Sequence, residues 1–379
     1  MTHCSRHKKQ LSRRDFLKAA GAAAAGVAVA GCQKETALPP TPEAPPTSPP
    51  QKAKDTTQPQ VAIASLRNYD RKAVYQHVRD LLDGIGGLGD VVSAGDRVAI
   101  KVNLTGGTSS PPVTGGVAPI DSFVTHPEVV RALGQFVRDA GAKEVMIVEA
   151  VYEWASYVEW GYEDVAKACD AKLIDLNDSA PWDSFGHAKV AGHHVYPDFA
   201  FNHILEDVDV FMSVSKLKNH WWAGVTHTMK NLFGLVPYRF YTLREGDSYR
   251  SEFHGEGDTP TTRIPRVIMD LNRARPIHFG LVDGIKTAQS GEGPWIQNMT
   301  ALEPGILIAG KNAVATDAVA TAVMGYDPTA ERPNPPFIRG DNHLNLAREL
   351  GLGTNRLDEI KVVGENIDDV KTDFEPCWG

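Results

Sequence analysis

From residue 61 the chain alternates short apolar runs with stretches in which apolar residues recur every three or four positions. VAIASL (61–66) reads as a strand, and RKAVYQHVRDLLDGI (71–85) sets Val74, Val78, Leu81 and Leu82 on one face of a helix. DRVAIKVNL (96–104) is a buried strand that ends in the polar residues Lys101 and Asn103. HPEVVRALGQFVRDAGA (126–142) opens with Pro127 and Glu128 and closes at Gly141, the punctuation of a helix. KEVMIVEA (143–150) predicts a strand, SYVEWGYEDVAKACD (156–170) a helix and AKLIDL (171–176) a strand. DVFMSVSKL (209–217), IHFGLVDGI (277–285), GILIAG (305–310) and LDEIKVVG (357–364) are strand-like, whereas NAVATDAVATAVMG (312–325) and NHLNLARELGLG (342–353) are helical. Such alternation, with nearly continuous apolar strands, predicts an α/β fold: a mostly parallel sheet with helices on both faces. Lys101, Asn103, Glu149, Lys216 and Asp283 fall at strand ends. Ligands of open sheets bind beyond the carboxyl ends of the strands, so the site is expected there.

The first 60 residues do not follow this pattern. LSRRDFLK (11–18) leads into AAGAAAAGVAVAG (19–31), an apolar run too short and too weakly hydrophobic to span a bilayer. The paired Arg13 and Arg14 resemble a twin-arginine export signal, and VAGC (29–32) resembles a lipobox whose Cys32 would be acylated after cleavage. Residues 33–60 are rich in Pro and Thr, with too little apolar surface to offset the entropy of ordering. The expected organisation is a signal peptide over 1–32, a disordered linker over 33–60 and an α/β domain over 61–370. The protein is then exported by the twin-arginine machinery and held by a lipid on Cys32 in the periplasm or on the outer face of the membrane.

The formal charge is −8, and residues 1–31 hold +5, which leaves −13 for the rest. An acidic body of that kind argues against nucleic acid as a partner. Of the four cysteines, Cys4 and Cys32 belong to the export segment. Cys169 and Cys377 either pair in an oxidising envelope or stay free, and no CxxC or other iron–sulfur spacing occurs.

Against this acidic background KLKNHWWAGVTHTMKNLFGLVP (216–237) holds three lysines and two histidines without a carboxylate. Lys216 and Lys218 alternate along a strand and so share a side. Gly224 allows a turn, and Thr226 is the expected N-cap of a helix through Met229, Lys230 and Phe233, its free N–H groups facing the lysines. Crowded ammonium groups suit a phosphate or carboxylate, and one lysine among them titrates low enough to act as base or nucleophile. Lys216, Lys218, His220 and Lys230 are thus the candidate catalytic residues, with Lys101, Asn103, Thr226 and Asn231 as substrate contacts. His227 reads as a packing or capping residue, and GHH (192–194) as a solvated turn. Asp283, Glu292 and Asp317 either hold a divalent metal ion or pair with the lysines.

The segments KVNL (101–104), 126–150, 213–237, LVDGIKTAQSGEGP (281–294) and NAVATDAVATAVMGYDP (312–328) resemble, in that order, the domain-of-unknown-function family 362. The resemblance spans about residues 60–365 and implies a fold and a set of positions, not a reaction. Some members of that family carry a ferredoxin-like cysteine module, for which this chain has no counterpart. The order strand, His, Gly-Thr turn, Lys and Gly-x-x-Pro is also loosely similar to the nickel-pincer lactate racemase family, although without its full histidine set. That likeness implies lysine and histidine around an organometallic cofactor. Two functions follow: an enzyme acting on a small anionic substrate through Lys and His, or a lipid-anchored binding protein for a small anion.

Overall fold

The computed structural model of the protein describes residues 58–378. The twin-arginine segment, Cys32 and all but the last three residues of the linker lie outside the described residues. Twelve strands follow in chain order: β1 (Gln60–Ser65), β2 (Arg97–Lys101), β3 (Glu144–Glu149), β4 (Ala171–Asp175), β5 (Gly186–Lys189), β6 (Asp198–Phe201), β7 (Val210–His220), β8 (Gly224–Val225), β9 (Phe279–Gln289), β10 (Thr300–Leu302), β11 (Ile306–Gly310) and β12 (Lys361–Gly364). The main sheet runs β12-β1-β11-β9-β7-β2-β3-β4. From β9 to β4 every neighbouring pair is parallel, while β11 lies antiparallel to both β9 and β1. The short strands β8 and β10 return against β7 and β9, and β5 and β6 form a separate hairpin.

Period-two alternation divides the strands between two cores. Val61, Ile63, Ala99, Met146 and Phe211 point to one face, where Ile264, Val267, Leu271, Val314 and Val319 cover them. Ala62, Val98, Ile100, Val145 and Met212 point to the other, beneath Val74, Val78, Val129, Leu133 and Val165. Helices Arg71–Gly84, Pro127–Asp139 and Tyr162–Cys169 supply the second cover; helices Pro260–Ala274 and Ala313–Val323 supply the first. Both faces of a mostly parallel sheet are therefore buried, as the apolar runs imply.

The segment expected as one helix over 156–170 is broken at Gly161, whose φ of 77° ends the turn Ala155–Glu159 before Tyr162–Cys169 begins. Helix Pro260–Ala274 is not among the elements marked from the sequence; Ile264, Val267, Ile268 and Leu271 have helical spacing in it, and Pro265 lies inside it. Proline has no N–H to offer Thr261, and the Asp341 N–H takes that carbonyl instead at 2.9 Å. Cys169 and Cys377 are both buried and free.

Candidate functional site

At the carboxyl ends of β2, β3 and β7 the chain encloses a cavity of about 820 Å³, whose wall also takes in the loop after β9 and residues 248–254. Lys101, at the last position of β2, is fully buried. Its ammonium donates to Glu149 Oε2 at 3.0 Å, to Asn231 Oδ1 at 3.1 Å and to the Val102 carbonyl at 2.6 Å. Burial lowers its pKa, and Glu149 pulls it back up. Asn103 donates from Nδ2 to the same Asn231 Oδ1 at 3.1 Å. A Cβ on Gly234 would overlap Glu149 and Lys101, so glycine is required for the chain to close over this pair.

β7 continues past its expected end and carries Lys216, Lys218 and His220 inside the sheet. Lys216 stands opposite Asp283, but Lys218 stands opposite Ala288, so β9 advances five residues while β7 advances two. This bulge separates two lysines expected to share one role. Lys216 bonds Asp283 Oδ2 and Tyr69 Oη, both at 2.9 Å, with lysine and carboxylate fully buried, and it does not line the cavity. Lys218 lines it, and its ammonium donates to the carbonyls of Phe123 at 2.8 Å and Glu292 at 3.0 Å.

Lys230 enters from the turn after β8 and lies 3.6 Å from the centroid of the Phe233 ring. No hydrogen bond or ion pair holds its ammonium among the described residues. Burial pushes both Lys218 and Lys230 down to about 7, an effect that Glu292 opposes and neighbouring cations reinforce. Arg250 completes the cationic lining, its Nε donating to the Val236 carbonyl at 2.8 Å. The cavity thus holds three cations tied to main-chain oxygens or an aromatic ring instead of to carboxylates.

Hydrogen bonding settles two histidine tautomers. His220 Nδ1 accepts the N–H groups of Trp222 and Ala223, each at 3.2 Å, so its proton resides on Nε2 and the neutral ring can only donate from there. Burial holds its pKa well below the ordinary value. His254 Nδ1 lies 3.2 Å from the Arg250 carbonyl, which only accepts, so Nδ1 is protonated and Nε2 is the free acceptor. Burial lowers His254 to about 4. His254 and Arg250 belong to no motif in the sequence and enter the site only by folding back over it. His227 packs in the interior with Nε2 3.2 Å from Met324 Sδ, and His193 and His194 are exposed in the loop of the β5–β6 hairpin.

Two expectations need correction. Thr226 does line the cavity, but its hydroxyl caps nothing and has no hydrogen-bond partner. Asp317 takes the place of the cap, accepting the Thr228 and Met229 N–H groups at 2.9 Å and the Thr228 hydroxyl at 2.5 Å. The Thr228 and Met229 amides of the turn are therefore taken by a carboxylate of the protein itself. Nor do the three carboxylates converge: Asp317 holds this turn, Asp283 holds Lys216, and Glu292 accepts the Trp221 N–H at 2.9 Å and the Trp295 indole at 3.1 Å. Among the described residues no group of three or more His, Cys, Asp or Glu side chains is arranged to hold a metal ion. Asp283, Glu292 and Asp317 therefore do not form a metal site together.

The Thylakoid-associated protein sll1697 of Synechocystis sp. is 28% identical over 314 residues, a stretch covering 79% of this chain and 88% of that protein. The lactate racemase apoprotein of Thermoanaerobacterium thermosaccharolyticum matches at a TM-score of 0.35 and 14% identity. That match covers 67% of this chain and about half, 56%, of the racemase chain. A twin-arginine translocation signal matches residues 10–30, which makes this an exported protein. The model of a domain of unknown function, DUF362, matches residues 98–322, more than half of the chain and every cavity residue from Lys101 to Trp295, and the chain belongs to that family.

Proposed function

We propose that this exported protein is an enzyme acting by acid–base chemistry on an anionic substrate, a carboxylate or phosphate, bound in the cavity at the carboxyl ends of β2, β3 and β7. The observation carrying this reading is that Lys218 and Lys230 both line the cavity without a carboxylate partner, where burial pushes each ammonium down to about 7. Charged, they attract an anion; neutral, an amine is a competent base at physiological pH. His220 offers a fixed Nε2–H donor and His254 a free Nε2 acceptor, two opposite hydrogen-bonding roles that orient a substrate for the lysines. Lys101 and Asn231 hold the floor rigid, and Asn103 and Thr226 offer unpaired oxygens to the substrate. A binding protein without turnover would need the cations but not the opposed histidines.

The test is thermal stabilisation of the full chain by a panel of carboxylates and phosphates, followed by a search for product. Several degrees of stabilisation is expected from the right class at a hundredfold excess over its Kd. No stabilisation by any anion would remove the reading, and stabilisation without product would favour the binding protein. The lipid anchor is also a proposal: Cys32→Ser is expected to move the exported protein from the membrane pellet to the periplasmic extract, and unchanged membrane retention would refute it.

A further inference from the structure

The cavity has a second character beyond its charge. Its volume of about 820 Å³ lies in the upper part of the roughly 300–1,000 Å³ found for ligands of drug size. Three of its aromatic residues, Trp295, Tyr249 and Tyr152, are 49%, 46% and 41% exposed. Aromatic side chains are the usual lining of a site for a ring-bearing small molecule.

Trp295 is also held in place. Its indole N–H donates to Glu292 Oε1 at 3.1 Å, and its ring centroid lies 6.3 Å from that of Phe123, edge-on at 75°. A Cβ on either Gly106 or Gly293 would strike the ring, so both glycines make room for it. Glu292 and Phe123 are also the residues whose carbonyls hold the Lys218 ammonium. An aromatic face and a cation thus share two neighbours and open into the same space. Deeper in, Asn103 Oδ1 and Thr226 Oγ1 are buried, line the cavity and have no hydrogen-bond partner, which points to a ligand carrying donors.

We infer that the ligand of this cavity is a planar, ring-bearing anion of about nucleotide size, its ring stacked on Trp295 and its anionic group reaching Lys218 and Lys230. This rests on the anion-site reading and adds the ring to it. Stacking on a fixed indole supplies affinity that a small acid cannot obtain, and the unpaired oxygens of Asn103 and Thr226 select among rings by their donors.

The experiment titrates the full chain with inorganic phosphate, acetate, 1-naphthoate and flavin mononucleotide, using calorimetry with tryptophan fluorescence as a second signal. The two aromatic anions are expected to bind at least tenfold more tightly than the two small ones. Trp295→Ala is expected to remove that advantage, and Tyr249→Ala, at another exposed position, to weaken the aromatic probes. If acetate and phosphate bind as well as the aromatic anions, or neither substitution affects the aromatic probes, the ring-binding inference falls and the anion site stands. If none of the four binds, both fall.

Discussion

Asp283→Asn is expected to cost about 3–5 kcal/mol of stability, the usual consequence of leaving a buried charge without its partner. Asp283 and Lys216 are both fully buried in adjacent strands of the sheet centre, and no solvent is available to replace either. The carboxylate collects four donors: Lys216, the Tyr69 hydroxyl at 2.9 Å, the His126 N–H at 3.0 Å and the Ile285 N–H at 3.2 Å. The ammonium has only Asp283 and the Tyr69 oxygen. The two single substitutions should therefore be unequal. Lys216→Met leaves a carboxylate with three remaining donors, whereas Asp283→Asn leaves a cation that burial already pushes toward the neutral form. Urea unfolding midpoints check this: losses of equal size would remove the expected asymmetry, and a loss below about 1 kcal/mol for Asp283→Asn would mean that the two groups do not carry a buried charge pair.

Lys230→Met should reduce turnover or anion affinity at least 100-fold, within the range of a lost acid–base group, while leaving the melting temperature unchanged or raised. The methionine keeps the aliphatic contact with Phe233 and removes a desolvated charge. The same lysine gives two pH effects of opposite sign. Anion binding requires the charged amine, so affinity should fall as pH rises through about 7, and the fall should be less steep in the variant. Folding stability should move the other way. The folded pKa is depressed to about 7 from an ordinary 10.5, so between these values the unfolded chain binds a proton that the folded chain does not. Stability then rises with pH across that window, and the variant loses its share of the rise. A pH profile of affinity that is flat from 6 to 9 would exclude charged lysines near 7 as the anion seat.

The eight strands of the main sheet order were legible because each is a short apolar run, and the lysine-rich stretch because no acid lies within it, whereas the short strands β5, β6, β8 and β10 are not marked by the sequence pattern. Other features depend on contacts between distant residues. Lys101 meets Glu149 across 48 positions, and Asp317 caps a turn 88–89 residues upstream. A carboxylate near the start of an Ala-rich helix reads equally well as a metal ligand or a cap until the neighbouring turn is placed. Arg250 and His254 lie in a stretch without periodicity, and contacts with distant residues bring them to the cavity, among them the Arg250 bond to the Val236 carbonyl and the Arg263 bond to the Glu252 carbonyl. Alternation alone puts Lys216 and Lys218 on one side; the bulge divides them, and a bulge in β9 leaves no trace in the spacing of β7.

That bulge also makes the molecule unevenly tolerant of changes in length. The three surplus residues of β9 lie between its pairing with Lys216 and its pairing with Lys218, upstream of the loop carrying Glu292 and Trp295. Excising one of them would shorten the bulge and shift the loop relative to Lys218, while the ladder before Asp283 kept its register. A change of length here is therefore felt by the cavity wall before it is felt by the sheet: it moves the Glu292 carbonyl relative to the Lys218 ammonium and leaves the strands on either side paired.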